Sequence, residues 1–533
     1  MRISYDTFGG IIPRLAPELL PADKAQTARN CKLSNGLLRP WYNDSEEYTC
    51  KNTGTIRTIY YHLGAYWMEW EADVDVVPGP VSADTTGRFY YTGDGIPKKS
   101  NTAQATTGTG ALPINFYPLA VPYPKNAPTV TLGSGGTGDP RNITYVYRNV
   151  TIWGEEGLPS PASDVVAAKN GQEVALSNMR QRWELGIAYE VGDFIFPSGE
   201  PITDMADDEI TDMAGEQIKD ISEGSAWIFK CVIAGTSGSA TPDWDFTVDA
   251  DTTDGTVTWR AFKNVISSKR IYRLNTGNTT ASYKYVGAMD VAESSFSDTV
   301  LDLDLGGTMP SDISGTQPPD GLMGLCYLGN GIMLGFSGKD LYASEAYLPY
   351  SWPIAYIQAL AHPIVSIASL GGVAIVTTEG NPYIVTGTDP ASLTVLPLPD
   401  VHACVSKRGT TACSLGIVFP GADGFVLVTS GGETKLFTQQ LYTVDEWSAI
   451  YPSTLHGHIH DNRYFGFYSY GDTEGCIVLD LTSGELTTLD MYCDAAYVDP
   501  ETDSMYFIKE AVALEDMAGT EITDFEGSAI EEP

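Results

Sequence analysis

The sequence predicts an all-β protein organised around a discontinuous β-propeller, and three observations predict it. First, residues 321–507 form a string of strand-length apolar runs separated by turn signals, with no helix-length periodicity. The runs Leu322–Leu328 and Ile332–Phe336 flank Gly329-Asn330-Gly331, a strong hairpin signal. Second, the pattern returns at Val365–Thr378, at Gly416–Val428 around Asp423-Gly424, at Asp461-Asn462-Arg463 and at Ala495–Phe507. The spacing of roughly 35–50 residues is that of four-stranded propeller blades, each burying its faces only against its neighbours. Third, 54 Gly, 32 Pro and 30 Tyr suit a turn-rich β protein.

At 533 residues the chain exceeds a single core and implies several domains. No apolar run reaches the roughly 18 residues of a membrane helix. Met1-Arg2-Ile3-Ser4 opens without the apolar region of a secretory signal, so export is not expected. The eight cysteines form no CxxC pair, so no zinc site is expected. Cys231, Cys326 and Cys476 lie in strand patterns and read as free thiols in a reducing cytoplasm. Sixty-eight acids against 31 bases leave a net charge of −37, which opposes nucleic-acid binding and suits solubility, or a wall past which DNA slides.

Taken in order, residues 1–50 read as an extended arm with a hairpin. Prolines 13, 17 and 21 forbid helix, and Asn35-Gly36 turns between strands at Ala28–Leu33 and Leu37–Trp41. Residues 51–124 form the first propeller segment. There, Ile56–Tyr61 and Ala65–Trp70 pair across Leu63-Gly64, Arg88–Thr92 adds a strand, and 98–125 reads as a connection. The second propeller segment is 313–509, which leaves roughly 300 residues for about six to eight blades, with terminal strands closing the ring. Strand patterns at 143–150, 174–177, 270–274, 281–287 and 295–299 belong to an interruption, itself interrupted at 183–262. The inner segment is expected to be removable, with Met179 and Val265 re-joining host strands across a surface loop.

Several resemblances sharpen this. The string from Pro13-Arg14-Leu15 through Ala25-Gln26 and Asn35-Gly36 to Pro40-Trp41 resembles the opening of a widespread class of phage virion proteins. Tyr145-Val146-Tyr147, Gly154–Ser163, Ile271-Tyr272-Arg273 and Ser295–Thr299 resemble a fibronectin type III-like sandwich, built from 125–182 and 263–312. That likeness implies an adhesive or spacer module rather than a catalyst. Residues 183–262 are similar to small carbohydrate-binding modules of the chitinase type found in phage tail and fibre proteins. Trp183, Trp227, Trp244 and Trp259 are its candidate glycan-stacking residues, against the plainer reading that they build a very small core.

An octad, Ile202-Thr203-Asp204-Met205 and its repeats at 210 and 218, recurs at 514, 522 and 530 in the acidic segment 510–533. It lacks the Asp-x-Asp-x-Asp-Gly loop of a calcium site and reads as an acidic excursion or a docking ladder. His456, His458 and His460 alternate along one strand and share a face. A polar strand face is the expectation, and no metal or other cofactor is assigned. No GxSxG, HExxH or P-loop stands in a supporting context, and Arg408 and Arg463 are the only arginines after residue 310, so no enzyme is expected.

As a whole the chain resembles the nozzle, or tail tubular protein B-like, component of short-tailed phages. The resemblance implies a homo-hexameric virion ring at the distal tail tube, assembled in the host cytoplasm. It would contact portal-side adaptor proteins and tail fibres, and genomic DNA would pass through its lumen. The alternative is a tail fibre or receptor-binding protein recognising host glycans.

Overall fold

The computed structural model describes residues 7–34, 36–41, 44–197, 200–201, 219–220, 226–275, 281–311 and 315–509. The octads at 202 and 210 and those in 510–533 lie outside them; of the octad at 218, Lys219–Asp220 is described and pairs with Glu200–Pro201. The fold is all-β: many small antiparallel sheets, with α-helix among the described residues limited to Thr102–Ala105 and Val444–Ser448.

Five sheets are four-stranded meanders in which each strand pairs with its sequence neighbour. Sheet II holds Asp75–Pro78, Phe89–Gly93, Gly95–Ser100 and Tyr117–Pro118. Sheet III starts at Met323–Gly329 and ends at Gln358–Ala359. Sheet IV runs from Ile364–Leu370 to Thr394–Pro397, and sheet V from Thr411–Cys413 to Thr434–Leu436. Sheet VI runs from His456–His460 to Leu486–Leu489. Two hairpins complete the set: sheet I (Thr58–His62 with Tyr66–Trp70) and sheet VII (Ala496–Val498 with Met505–Phe507).

The turns explain the registers. Asn330 and Gly331 have φ of 47° and 70°, and Asp461 and Asn462 have 49° and 57°, the left-handed pairs whose twist matches a two-residue hairpin. Gly93 has no substitute, because a Cβ there would meet the Asp73 carbonyl oxygen at 2.2 Å.

A single sheet of this size buries too little to stand alone. Each sheet instead shares a core with the next. Met68 and Trp70 of sheet I meet Phe89 and Tyr91 of sheet II, and Tyr90 meets Leu325 and Met333 of sheet III. Leu334 meets Val376, Ile375 meets Phe419, Val418 meets Tyr464, and Phe467 meets Ala496 across the following pairs. Ala495, beside sheet VII, then packs with Ile59 and Trp67 of sheet I, so the succession of cores returns to its start.

Between sheets II and III the chain makes two further units. The sheet Glu156–Pro159, Tyr145–Thr151, Ile266–Asn275, Ser282–Asp290 faces the sheet Phe296–Asp298, Val166–Ser177, Thr129–Ile143. Their common core includes Tyr145, Tyr147, Leu176 and Ile271. Inside it, Phe194–Ile195, Trp227–Ile233, Val257–Lys263 and Asp251–Asp254 form a four-stranded sheet with its own core.

Three expectations from sequence change. Segment 98–125 is not only a connection, because Lys98–Ser100 and Tyr117–Pro118 belong to sheet II. The arm's first strand is Cys31–Ser34, paired with Leu37–Pro40; Arg29 instead bridges Thr488 in parallel and covers the outer edge of sheet VI. Segment 183–262 does not stand apart from its host: Phe194, Phe196, Ile228 and Phe262 share one core with Phe89 and Tyr91 of sheet II, and the flanking Met179 and Val265 are buried rather than on a surface loop.

Candidate functional site

The first strands of sheets II to VII follow one another in contact, and their polar residues converge. Lys407, just before sheet V, reaches Asp73 Oδ1 (3.0 Å) and Asp75 Oδ1 (2.9 Å) on sheet II. The Gly324 N–H of sheet III donates to Asp75 Oδ2 at 2.8 Å. Burial pushes the Asp75 carboxyl up against the opposing pull of Lys407. Burial works to lower Lys407, but attraction to Asp75 and Asp73 outweighs it and holds the ammonium above its usual value. The neighbouring Arg408 donates to the carbonyls of Arg57 and Asp494, both at 2.6 Å, and so ties sheet V to the two chain-end hairpins.

Sheet VI contributes the histidines. His456 is 1 % exposed, and its Nε2 lies 2.6 Å from the Cys493 carbonyl oxygen, so Nε2 carries the proton. Nδ1 therefore accepts from His458 Nε2 at 3.1 Å. Desolvation, then repulsion from Arg408, lowers His456 to about 4, and desolvation, then the neighbouring His456 and Arg408, lowers His458 well below its usual value. Both rings are neutral at pH 7; His456 stacks on Phe467, His458 meets the same ring at a tilt of 58°, and His460 sits apart, 3.7 Å from Asp503. Among the described residues no group of three His, Cys, Asp or Glu is arranged to hold a metal. The other late arginine, Arg463, donates to the Leu33 carbonyl and pairs with Asp461.

The four tryptophans converge but do not form a platform. Trp227, Trp244 and Trp259 are 6 %, 6 % and 0 % exposed. Trp183 crosses Trp244 at 87°, and Trp244 crosses Trp259 at 63°. The indoles of Trp183 and Trp259 both donate to Asp254 Oδ2, at 2.7 and 3.1 Å. Their faces are spent on one another and on Phe229, which is packing geometry rather than a row of open rings.

A second polar cluster joins sheet II to the inserted units, and nothing in the sequence marked it. Lys98 and Lys99 are fully buried. Lys98 Nζ pairs with Asp94 (2.8 Å) and with Asp249 of the nested unit (2.9 Å). Lys99 Nζ pairs with Glu155 at 2.5 Å, and Arg88 and Thr151 also bond this carboxylate. The sequence placed both lysines at the start of a connecting segment, 98–125, whereas they lie on an inner strand of sheet II.

All eight cysteines are free thiols. No helix among the described residues is long and apolar enough to cross a membrane. No known family pattern matches the sequence, and no curated protein resembles it significantly.

Proposed function

We propose that the chain is a structural subunit of a bacteriophage tail, a nozzle-type ring component whose main body is a seven-bladed β-propeller interrupted by a fibronectin type III-like sandwich with a nested module. One observation carries the architectural side: each of the seven sheets shares a core with its successor, and the last shares one with the first. That is how a propeller closes its ring of blades and leaves only short outer edges, with hairpins I and VII as neighbours at the closure. The order Glu156–Pro159, Tyr145–Thr151, Ile266–Asn275, Ser282–Asp290 supports the sandwich reading, being the order of the C′CFG sheet in such modules.

The tail assignment is supported by the arm motif from Pro13 to Trp41 and by the charge of −37. The centre of the sheets is crossed by Lys407, Arg408 and the histidine pair, so DNA passage belongs to a lumen between subunits. That lumen is negative in this reading. A basic wall would hold duplex through counterion release, whereas acids within a Debye length of about 8 Å repel it weakly from all sides. Adaptor proteins upstream and tail fibres outside are the partners.

The test is the mass of the purified assembly together with immunolabelling of virions. A ring of about six subunits located at the tail tip is the expected result. A trimer labelled on the fibres, with glycan binding lost in Trp244→Ala, would replace this reading by the fibre alternative.

A further inference from the structure

The arm hairpin Cys31–Ser34/Leu37–Pro40 is a two-stranded ribbon attached along one side only. Leu33 is buried, and Trp41 packs edge-on against Phe465 of sheet VI. The outer strand is different, for all four of its residues are exposed, with Leu37 at 52 % and Leu38 at 54 %. Successive strand residues face opposite ways, so the ribbon offers a leucine on each face. Its outer edge has no strand partner among the described residues. Isolated hairpins are marginal in water, and an open apolar edge is a template for pairing.

The charge of this stretch opposes that of the chain. Lys24 to Trp41 holds four bases and no acid, within a protein that has 68 acids and 31 bases. Arg29 and Lys32 take Asp490 and Asp461 of sheet VI. Arg39, on the exposed strand, has no carboxylate partner among the described residues.

We propose that the outer strand Leu37–Pro40 is an assembly surface that docks on an acidic face of a second copy of this chain. The charge argument selects that occupant: a basic, apolar ribbon is complementary to the surface that dominates this same protein. Two copies of the outer strand set face to face would oppose Arg39 to Arg39 with no acid between them, so the contact is not between identical patches. It is head-to-tail, the kind that closes rings. This rests on the proposed tail-ring reading and names the element that would build the ring.

Sedimentation of the full chain over a concentration series, at low and high salt, tests it. The native protein is expected to assemble beyond the 57.5 kDa single chain, less so at high salt. Leu37→Asp/Leu38→Asp should weaken self-association by at least about tenfold, since the apolar area that docking removes from water is replaced by two carboxylates. Arg39→Glu should also weaken it and flatten the salt dependence. Unchanged melting temperatures separate lost docking from lost folding. A native chain that stays single, or variants that assemble as the native does, overturns the proposal. Rings that persist in the variants leave the tail reading standing, whereas labelling away from the tail removes that reading whatever the variants do.

Discussion

Sheet VI and the nested unit are both four-stranded antiparallel sheets, yet they are stabilised in opposite ways. In sheet VI each strand pairs with its sequence neighbour through turns such as Asp461-Asn462, and both faces meet other sheets through aliphatic and aromatic residues. In the nested unit one face closes on Trp183, Trp244 and Trp259, and the other lends Phe194, Ile228 and Phe262 to sheet II. Ion pairs of buried lysines tie the unit to its host: Lys98 of sheet II with Asp249, and Lys230 with Asp320, just before sheet III. The difference teaches that insertion in sequence does not mean independence in space. A unit too small for two cores of its own completes one on its host.

The largest break of this comparison is removal of 183–262. The aromatic side chains of Phe89 and Tyr91 would lose their covering layer and Lys98 one of its two carboxylates, so we expect an insoluble product or loss of a cooperative transition. A soluble deletion protein melting like the parent would restore the view of the unit as a decoration.

Next comes the buried pair beside it. Glu155→Ala strands Lys99, which is 0 % exposed, and should cost about 3–5 kcal/mol in denaturant unfolding. The double change Lys99→Met/Glu155→Leu should recover most of that loss, because no uncompensated charge remains. Equal loss in the single and double variants would mean that the site depends on shape rather than charge.

A smaller effect sharpens the sheet VI side. His456 is lowered to about 4 in the fold against 6.5 for the free side chain, so between these values the unfolded chain binds the extra proton. The stability held by neutral His456 is therefore fully present above about pH 6.5 and is lost as pH falls towards 4. Over that window the loss amounts to about 3 kcal/mol at 1.36 kcal/mol per pKa unit. In His456→Gln the slope of stability against pH over this interval should be shallower, with His458, lowered well below its usual value, and His62, lowered to about 4 by burial, supplying the remainder. An unchanged slope would place the acid sensitivity elsewhere.

By itself the sequence determined the all-β class and where the main hairpins turn. Period-two patterning and turns such as Leu63-Gly64 or Asn330-Gly331 are decided by a few adjacent residues. It also marked Trp183, Trp227, Trp244 and Trp259 as one group, because a small module needs large side chains to fill its core. Only the tertiary structure decided what those groups face. Lys98 meets Asp249 across 151 positions, and Arg408 meets the Arg57 carbonyl across 351. A lysine buried between carboxylates and a lysine in water leave the same local pattern, since the partner that makes burial tolerable is brought by the fold and not by neighbouring residues.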